Sequence, residues 1–479
     1  MTSNSTPDPG PMPDPGPGPN PDPVPAPLPP PGTDPSPWDA RPPAGRPISL
    51  GGDLGAEADQ PTSDSVATGR AVISAPDADA AEPAELLPLQ ADHFGLFQDV
   101  AGEDLEAWRT ARSLAADVLP RINDWWDRGE YPVELIGRLG ELDLLTDGLD
   151  VPGHRKLSPL ATGLVNMELS RIDGSLGTMV GVQGGLALRS IVLLGSDEQK
   201  QRWVEPIVTG REYAGFALTE PDHGSDSVSL ETVARRDGDQ WVLTGEKRWI
   251  GNGAGGHLTV VWARVDDPAD EALHGQVSGF LVEQHLPGYE AEVIRGKVAL
   301  RAIHQAHITL DGVRVPLEAR LPGARSFKDT STVLFATRAG VAWGALGHAT
   351  ACYESALEHA RTRIQFGRPL AKSQHIQVRL STMLATLTSM QLYCTRLADL
   401  ESAGAVRPEQ ASLAKVHNTR AAREIAADAR DLLGGSGILL ENRVARHKAD
   451  IEALHTYEGT DTMQSLIVGR SVTGTSAFV

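Results

Sequence analysis

The chain has 479 residues and 40% of them are hydrophobic, which is enough for two or three folded units. Its formal charge is −20 and no basic stripe is interleaved with aromatic residues, so nucleic acid is excluded as a partner. No run of about 18 apolar residues and no charged-then-apolar leader occurs, and the C-terminus is not of the Ser-Lys-Leu kind. A cytoplasmic protein with no membrane span is expected, and its two cysteines, Cys352 and Cys394, are expected to be buried free thiols.

Residues 1–88 differ in composition from the rest. Nineteen of the 35 prolines fall in the first 50 residues, and residues 1–90 hold 13 acidic side chains against three arginines, a balance of −10. Such a segment buries too little apolar area to offset its ordering entropy, so it is predicted to be disordered with some polyproline II character. It reads as a solubilising tail, with docking to a proline-reading domain as the alternative.

From about 95 the period becomes helical. Glu103 and Asp104 begin an acidic first turn, and apolar residues recur at three- and four-residue spacing through Val118. Pro132 opens a second helix, and further helices are predicted over 158–173, 178–194 and 197–209, the last capped at Ser196-Asp197. At about 214 the period falls to two. Strands are predicted at Trp241–Thr244, Leu258–Ala263, Ser278–Val282 and His307–Leu310. Beyond 326 long helices return near 331–361, 373–401 and 408–434; then comes Gly434-Gly435-Ser436-Gly437, and a helix near 461–472.

Several chemistries are missing. There is no HExxH, no Walker A loop, no convincing GxGxxG and no nucleophile elbow, and a zinc site is not expected. What remains are two polar stretches. In Phe216–Asp226, Thr219 and Ser225 offer hydroxyls and Gly224 lets backbone approach a ligand; Trp249 offers a stacking face. Read alone, these are equally a polar turn and a strand tryptophan. Glu458, in Thr456-Tyr457-Glu458-Gly459-Thr460, reads alone as a surface carboxylate before a helix, with Thr460 as cap and Asp461 complementing the dipole.

Five ordered motifs change that reading. They are Thr219-Glu220-Pro221-x-x-Gly224-Ser225-Asp226, Trp249-Ile250-x-Asn252, Arg363-Ile364-Gln365-Phe366-Gly367, Leu433-Gly434-Gly435-Ser436-Gly437 and Tyr457-Glu458-Gly459-Thr460. Together, over about 95–479, they resemble the acyl-CoA dehydrogenase and oxidase superfamily. The resemblance implies an α+β multi-domain fold: an N-terminal helical domain over 89–213, a middle β-barrel-like domain over 214–322 and a C-terminal four-helix bundle over 323–479. It also implies an oxidoreductase that uses FAD to convert an acyl-CoA thioester to a trans-2-enoyl-CoA. Phe216, Leu218, Thr219, Ser225 and Trp249 would contact the flavin. Arg363, Phe366, Gly434, Gly435 and Ser436 would reach the FAD of a neighbouring subunit in a homotetramer. Thr460 and Thr462 would lie near the cofactor, and Ser225, Arg338, Tyr457 and Gly459 near substrate. Glu458 would be the base, removing the α-proton, with its own backbone N–H and a ribityl hydroxyl supporting the thioester carbonyl. Glu220 is given no such role and is expected to be structural.

The pattern also departs from two branches it resembles, glutaryl-CoA dehydrogenases and the short-chain acyl-CoA oxidases of plants. The glutaryl branch carries an arginine before its Val-Gln-x-x-Leu run to hold the distal carboxylate; here the position is Gly177. A buried carboxylate without a cation is costly, so a monocarboxylic acyl group is expected. Gly251 replaces a threonine usual in dehydrogenases. That keeps two electron acceptors open, electron-transfer flavoprotein or O₂. A non-enzymatic scaffold docking through the proline-rich tail is the third reading.

Overall fold

The computed structural model describes residues 91–477. The proline-rich tail lies outside the described residues. Helix α1 (Gly102–Arg128) starts on Glu103 and Asp104, buries Ala107, Ala111, Leu114, Val118, Ile122 and Trp125, and stops at Gly129 in the left-handed conformation (φ 63°). Helix α2 spans Glu134–Glu141. Helix α3 (Pro159–Ile172) has proline in its first turn and the Ser158 hydroxyl accepting from Ala161 N at 3.1 Å.

The single helix predicted over 178–194 is three pieces. Helix α4 (Gly174–Val180) runs into a π-helical stretch, Gly181–Leu188, and then into α5 (Arg189–Leu194). By length and composition Gly174–Leu194 is apolar enough to cross a membrane, with mean hydropathy 1.4, but 56% of that window is buried inside the fold. Helix α6 (Asp197–Val208) opens with a capping box: Ser196 Oγ accepts from Gln199 N at 3.3 Å, and Gln199 Oε1 accepts from Ser196 N at 2.9 Å.

Seven strands follow: β1 (Ala214–Ala217), β2 (Val233–Asp237), β3 (Gln240–Gly251), β4 (Leu258–Asp266), β5 (Val277–Glu283), β6 (Tyr289–Val293) and β7 (Gln305–Pro316). Their order is β1-β4-β2-β3-β7-β6. Strand β5 lies along one edge of β4, while β1 and β2 lie end to end along the other, both parallel to β4. The two faces alternate well enough for Trp241, Leu243, Ile250, Val261, Phe280, Ile308 and Leu310 to form one core.

The chain returns to helix at α7 (Phe327–Thr362) and then makes a small hairpin of β8 (Ile364–Gln365) and β9 (Arg368–Pro369). Helices α8 (Gln374–Ser402), α9 (Pro408–Leu432), α10 (Val444–Thr456) and α11 (Asp461–Thr473) complete it. A large core joins α1 and α3 to α7 through α10, including both cysteines. Burial pushes the Cys352 thiol up to about 12 and the Cys394 thiol higher still, so both stay protonated.

Sequence periodicity did not anticipate α10. Its inner face carries Arg446, His447 and Asp450, all buried. The Nδ1 atoms of His447 and of His348 on α7 lie 2.9 Å apart, one donating to the other. Burial pushes His348 down to about 3, with Arg446 adding to the effect, and pushes His447 well below its ordinary value. Both rings are therefore neutral when folded, whereas unfolded histidines titrate near 6.5. Their folded values are depressed, so the unfolded chain binds more protons below about pH 6.5. Stability is complete above that pH and falls as pH drops toward about 3, each ring adding a slope of up to about 1.4 kcal/mol per pH unit. Urea midpoints measured from pH 7 to 5 should fall, and a His348→Leu/His447→Leu double variant should show a flatter profile.

Candidate active site

Glu458 sits in the turn between α10 and α11. Its backbone is left-handed (φ 54°) and Gly459 follows at φ 82°. A Cβ at Gly459 would stand 2.2 Å from Gln464 Nε2, so only glycine fits there. That amide is itself engaged, donating to the Glu458 carbonyl at 2.8 Å. Thr460 caps α11, its hydroxyl accepting from Met463 N at 3.3 Å, and Asp461 in the first turn pairs with Arg420 at 2.7 Å. The non-Gly residue at positive φ is a cost that the surrounding bonds must offset.

The turn meets two helices. Thr337 Oγ1 on α7 donates to Glu458 Oε2 at 3.2 Å. Arg338, the next residue, donates to Ser412 Oγ on α9 at 3.2 Å. Lys415, also on α9, donates to the carbonyls of both Tyr457 and Gly459. Burial pushes the Glu458 carboxyl up, opposed by Lys415, Thr337 and Arg338 in that order. A carboxyl raised above its ordinary value by desolvation is a stronger base and is suited to take a proton from carbon. Burial also pushes the Tyr457 phenol above its ordinary value, opposed by a hydrogen bond with Thr178 on α4.

The π-helical stretch borders the same place. A Cβ at Gly185 would come 3.3 Å from Thr337 Cγ2 and 2.8 Å from Asp147 Oδ2, while one at Gly181 would meet nothing within 4 Å. Gly177 is different: a Cβ there would lie 2.2 Å from Ser170 Oγ, so its absence of side chain serves the packing of α4 on α3. A Cβ at Gly251 would lie 2.8 Å from Val182 Cγ2, which leaves no room for threonine in this packing.

The second polar stretch is assembled at the middle sheet. A register shift in β3 between Lys247 and Ile250 throws Trp249 out of the ladder at φ 66°, with the indole 53% exposed. Arg248 N donates to Thr219 O at 2.8 Å, which docks the 219–226 loop against this bulge. Glu220 is structural, as expected. It pairs with buried Lys247 at 2.8 Å and accepts from Glu231 N, Thr232 N and Thr232 Oγ1. Thr219 is half-buried, and Gly224 and Ser225 are exposed. Phe216 and Leu218 were expected to contact a flavin, but their side chains are buried in a hydrophobic cluster, Phe216 5.7 Å from the Trp262 ring. That leaves chiefly their backbone available.

The remaining predicted residues make no hydrogen bond or ion pair with the Glu458 carboxylate among the described residues. Arg363 and Phe366 are on the β8–β9 hairpin, where Phe366 is fully exposed, and the Arg363 side chain makes no hydrogen bond or ion pair among the described residues. Gly434 (φ 57°) and Gly435 have nothing within 4 Å of a Cβ position, and Ser436 is half-buried. Thr462 is exposed on α11. An outward indole, an outward phenyl and bare glycine backbone are what a broad aromatic cofactor with a phosphate arm requires. These residues fit FAD.

Residues 102–211, 215–313 and 327–473 match, in order, the family models for the acyl-CoA dehydrogenase N-terminal, middle and C-terminal domains. The chain belongs to the acyl-CoA dehydrogenase family: FAD-dependent oxidoreductases acting on the CH–CH group of acyl-CoA substrates. Among its relatives, the mitochondrial short-chain specific acyl-CoA dehydrogenase of Bos taurus is 36% identical over 344 residues, 71% of this chain and 82% of that one. A glutaryl-CoA dehydrogenase from Mycobacterium smegmatis superposes with a TM-score of 0.78 at 42% identity, covering 81% of this chain and 99% of that one. A second structure of that enzyme class from M. smegmatis, in complex with FADH2, gives 0.77 at 36% identity, covering 81% and 98%.

Thr337 and Lys415 escaped the sequence reading. Thr337 was visible only as the neighbour of Arg338. Lys415 left a faint trace: a lone cation in Ala411–Val416, in helical phase with the buried residues Ala411, Asn418 and Ala422.

Proposed function

We propose that Glu458 is the base that removes the α-proton of an acyl-CoA thioester in an α,β-dehydrogenation giving trans-2-enoyl-CoA. The observation that carries this is the Glu458 carboxylate itself, raised by burial, held by Thr337 and set on a left-handed turn. Bound FAD supplies the acceptor for the hydride that leaves the β-carbon. Thr337 fixes one carboxylate oxygen, which leaves the other to meet the substrate. Trp249, Thr219 and Ser225 would hold the flavin from the middle sheet. Arg363, Phe366 and Gly434–Ser436 would hold that of a neighbouring subunit, in a homotetramer of a cytoplasmic enzyme.

The acyl group is proposed to be monocarboxylic, and short on the likeness to the short-chain specific relative. Position 177 offers neither a cation nor space for one, and the cations around Glu458 are engaged with Ser412 and with two backbone carbonyls. The electron acceptor is proposed to be electron-transfer flavoprotein. An acyl-CoA panel with an artificial acceptor tests both points. Butyryl-CoA should exceed glutaryl-CoA in kcat/KM by tenfold or more, as about 1.4 kcal/mol of unpaired carboxylate cost requires. Reoxidation by air after anaerobic reduction should be slow. Fast reoxidation with stoichiometric peroxide would instead make the chain an oxidase. Purified protein that stays colourless with added FAD would make it a scaffold.

A further inference from the structure

Helix α9 turns a lysine into the protein. Lys415 is 1% exposed, and such a charge is kept in a fold only where its partners are specific. Its partners are two peptide carbonyls, those of Tyr457 and Gly459, which are the residues on either side of Glu458. Carbonyl oxygens can only accept, so both bonds need a donor with two free N–H groups on one atom; an ammonium supplies three. The bonds hold down both ends of a three-residue turn whose middle residue is in the left-handed region. Gln464 holds the same turn from α11 through the Glu458 carbonyl.

We propose that Lys415 is the positioning residue of the base, clamping the backbone on both sides of Glu458 and, while protonated, favouring the ionised form of its carboxylate. This rests on the reading of Glu458 as base. The charged groups around the lysine are Glu458, Arg338 on α7, Asp461 on α11 and His455 at the end of α10. Burial pushes the lysine down to about 7, while Glu458 favours its charged form, Arg338 opposes it and Asp461 favours it, so it carries its charge below that pH. The two carbonyl acceptors also favour the ammonium, since a neutral amine would make weaker bonds to both. The lysine cation in turn is the largest influence opposing burial at Glu458. Removing it should therefore raise the carboxyl further and leave it protonated, unable to act, over a wider range of pH.

The test uses holoenzyme variants Lys415→Met, Lys415→Gln and Lys415→Arg, with Glu458→Gln as reference. Lys415→Met and Lys415→Gln should keep FAD and fold, and lose about 10²-fold in kcat with KM within about threefold, the size expected when a reacting group is displaced by about 1 Å. The acid limb of the kcat profile should move to higher pH in both and stay in place in Lys415→Arg. A readout independent of turnover is the infrared carboxyl band that disappears in Glu458→Gln; it should titrate at higher pH in the two neutral variants. An unmoved band and limb in folded Lys415→Met and Lys415→Gln would overturn the proposal. So would failure of both to fold, which would make the lysine a structural tie. If Glu458→Gln itself still turns over normally, the base reading fails, whatever the lysine variants do.

Discussion

Glu458→Gln is expected to bind FAD with wild-type stoichiometry and to lose acyl-CoA-dependent bleaching of the flavin by about 10³-fold or more, in the upper range for a positioned general base. The substitution preserves shape, so Thr337 still finds an oxygen to donate to and Lys415 still bonds the backbone on either side. What goes is the capacity to accept a proton from carbon. The nearby carboxylates are engaged elsewhere: Asp461 is locked to Arg420 through two oxygens at 2.8 and 2.7 Å, and Asp147 accepts from Asn166 and Arg189. Anaerobic stopped-flow absorbance with a short acyl-CoA measures the effect directly. Full bleaching by the variant at the wild-type rate would remove Glu458 from its role.

The largest stability effect is expected at Asp173. Its carboxylate lies 2.7 Å from Arg446 Nε, and the two side chains are 0% and 1% exposed. Arg446 reaches from α10 to Asn123 on α1 and to the Ile172 carbonyl at 3.4 Å, while Asp173 also caps α4 by accepting from Ser175 N at 2.8 Å. Asp173→Ala would leave a guanidinium buried without its counter-charge and the helix without its cap. The expected loss is about 3–5 kcal/mol, the usual result of removing one partner of a buried pair. Cutting an exposed pair such as Arg314–Asp237 should cost under about 1 kcal/mol. Denaturant midpoints of Asp173→Ala, Arg446→Met and the double variant give the coupling. The double should recover much of the loss, and a double that is as unstable as the sum of the singles would show that the pair contributes no mutual attraction.

Much of the fold was readable because its helices and strands keep clean periods and conventional ends. The acidic start of α1, the Ser196 cap of α6 and the β-branched and aromatic runs of β3 and β4 are local signals, and the structure forms each of these elements, although β4 is buried along nearly its whole length rather than alternating. The failures have local causes too. Helix α10 puts Arg446, His447 and Asp450 on its inner face, so its core side does not look apolar. In the π-helical stretch nearly every residue is apolar or glycine, and uniform apolarity erases the difference between helical periods. Strand β6 is five residues with one buried position, too short for alternation to be recognised.

The site was readable as ordered motifs, through a resemblance, rather than as geometry. Phe216 and Leu218 lie in a motif that marks a flavin cradle, yet side-chain direction in a buried strand depends on what packs behind it, here Trp262. Thr337 is 121 residues from the carboxylate it touches, and Lys415 is 42 from the first carbonyl it holds. Contacts at such separation leave no imprint on local composition.

The seam between helices and sheet has a further meaning. Gln183, in the π-helical stretch, donates to the carbonyls of Ile207 and Glu212 and accepts from Ala214 N at 2.9 Å. Asn252, at the end of β3, donates to the Ala214 carbonyl and accepts from the Tyr131 hydroxyl at 2.5 Å. Both side chains are buried. Cutting the gene at the apparent helix-to-strand border would strand these amides and expose donors made for a partner that is no longer there. The middle segment is thus no portable cassette, and ancestral recombination among such chains would succeed only where the donor of the helices and the donor of the sheet already agreed on this pair of amides.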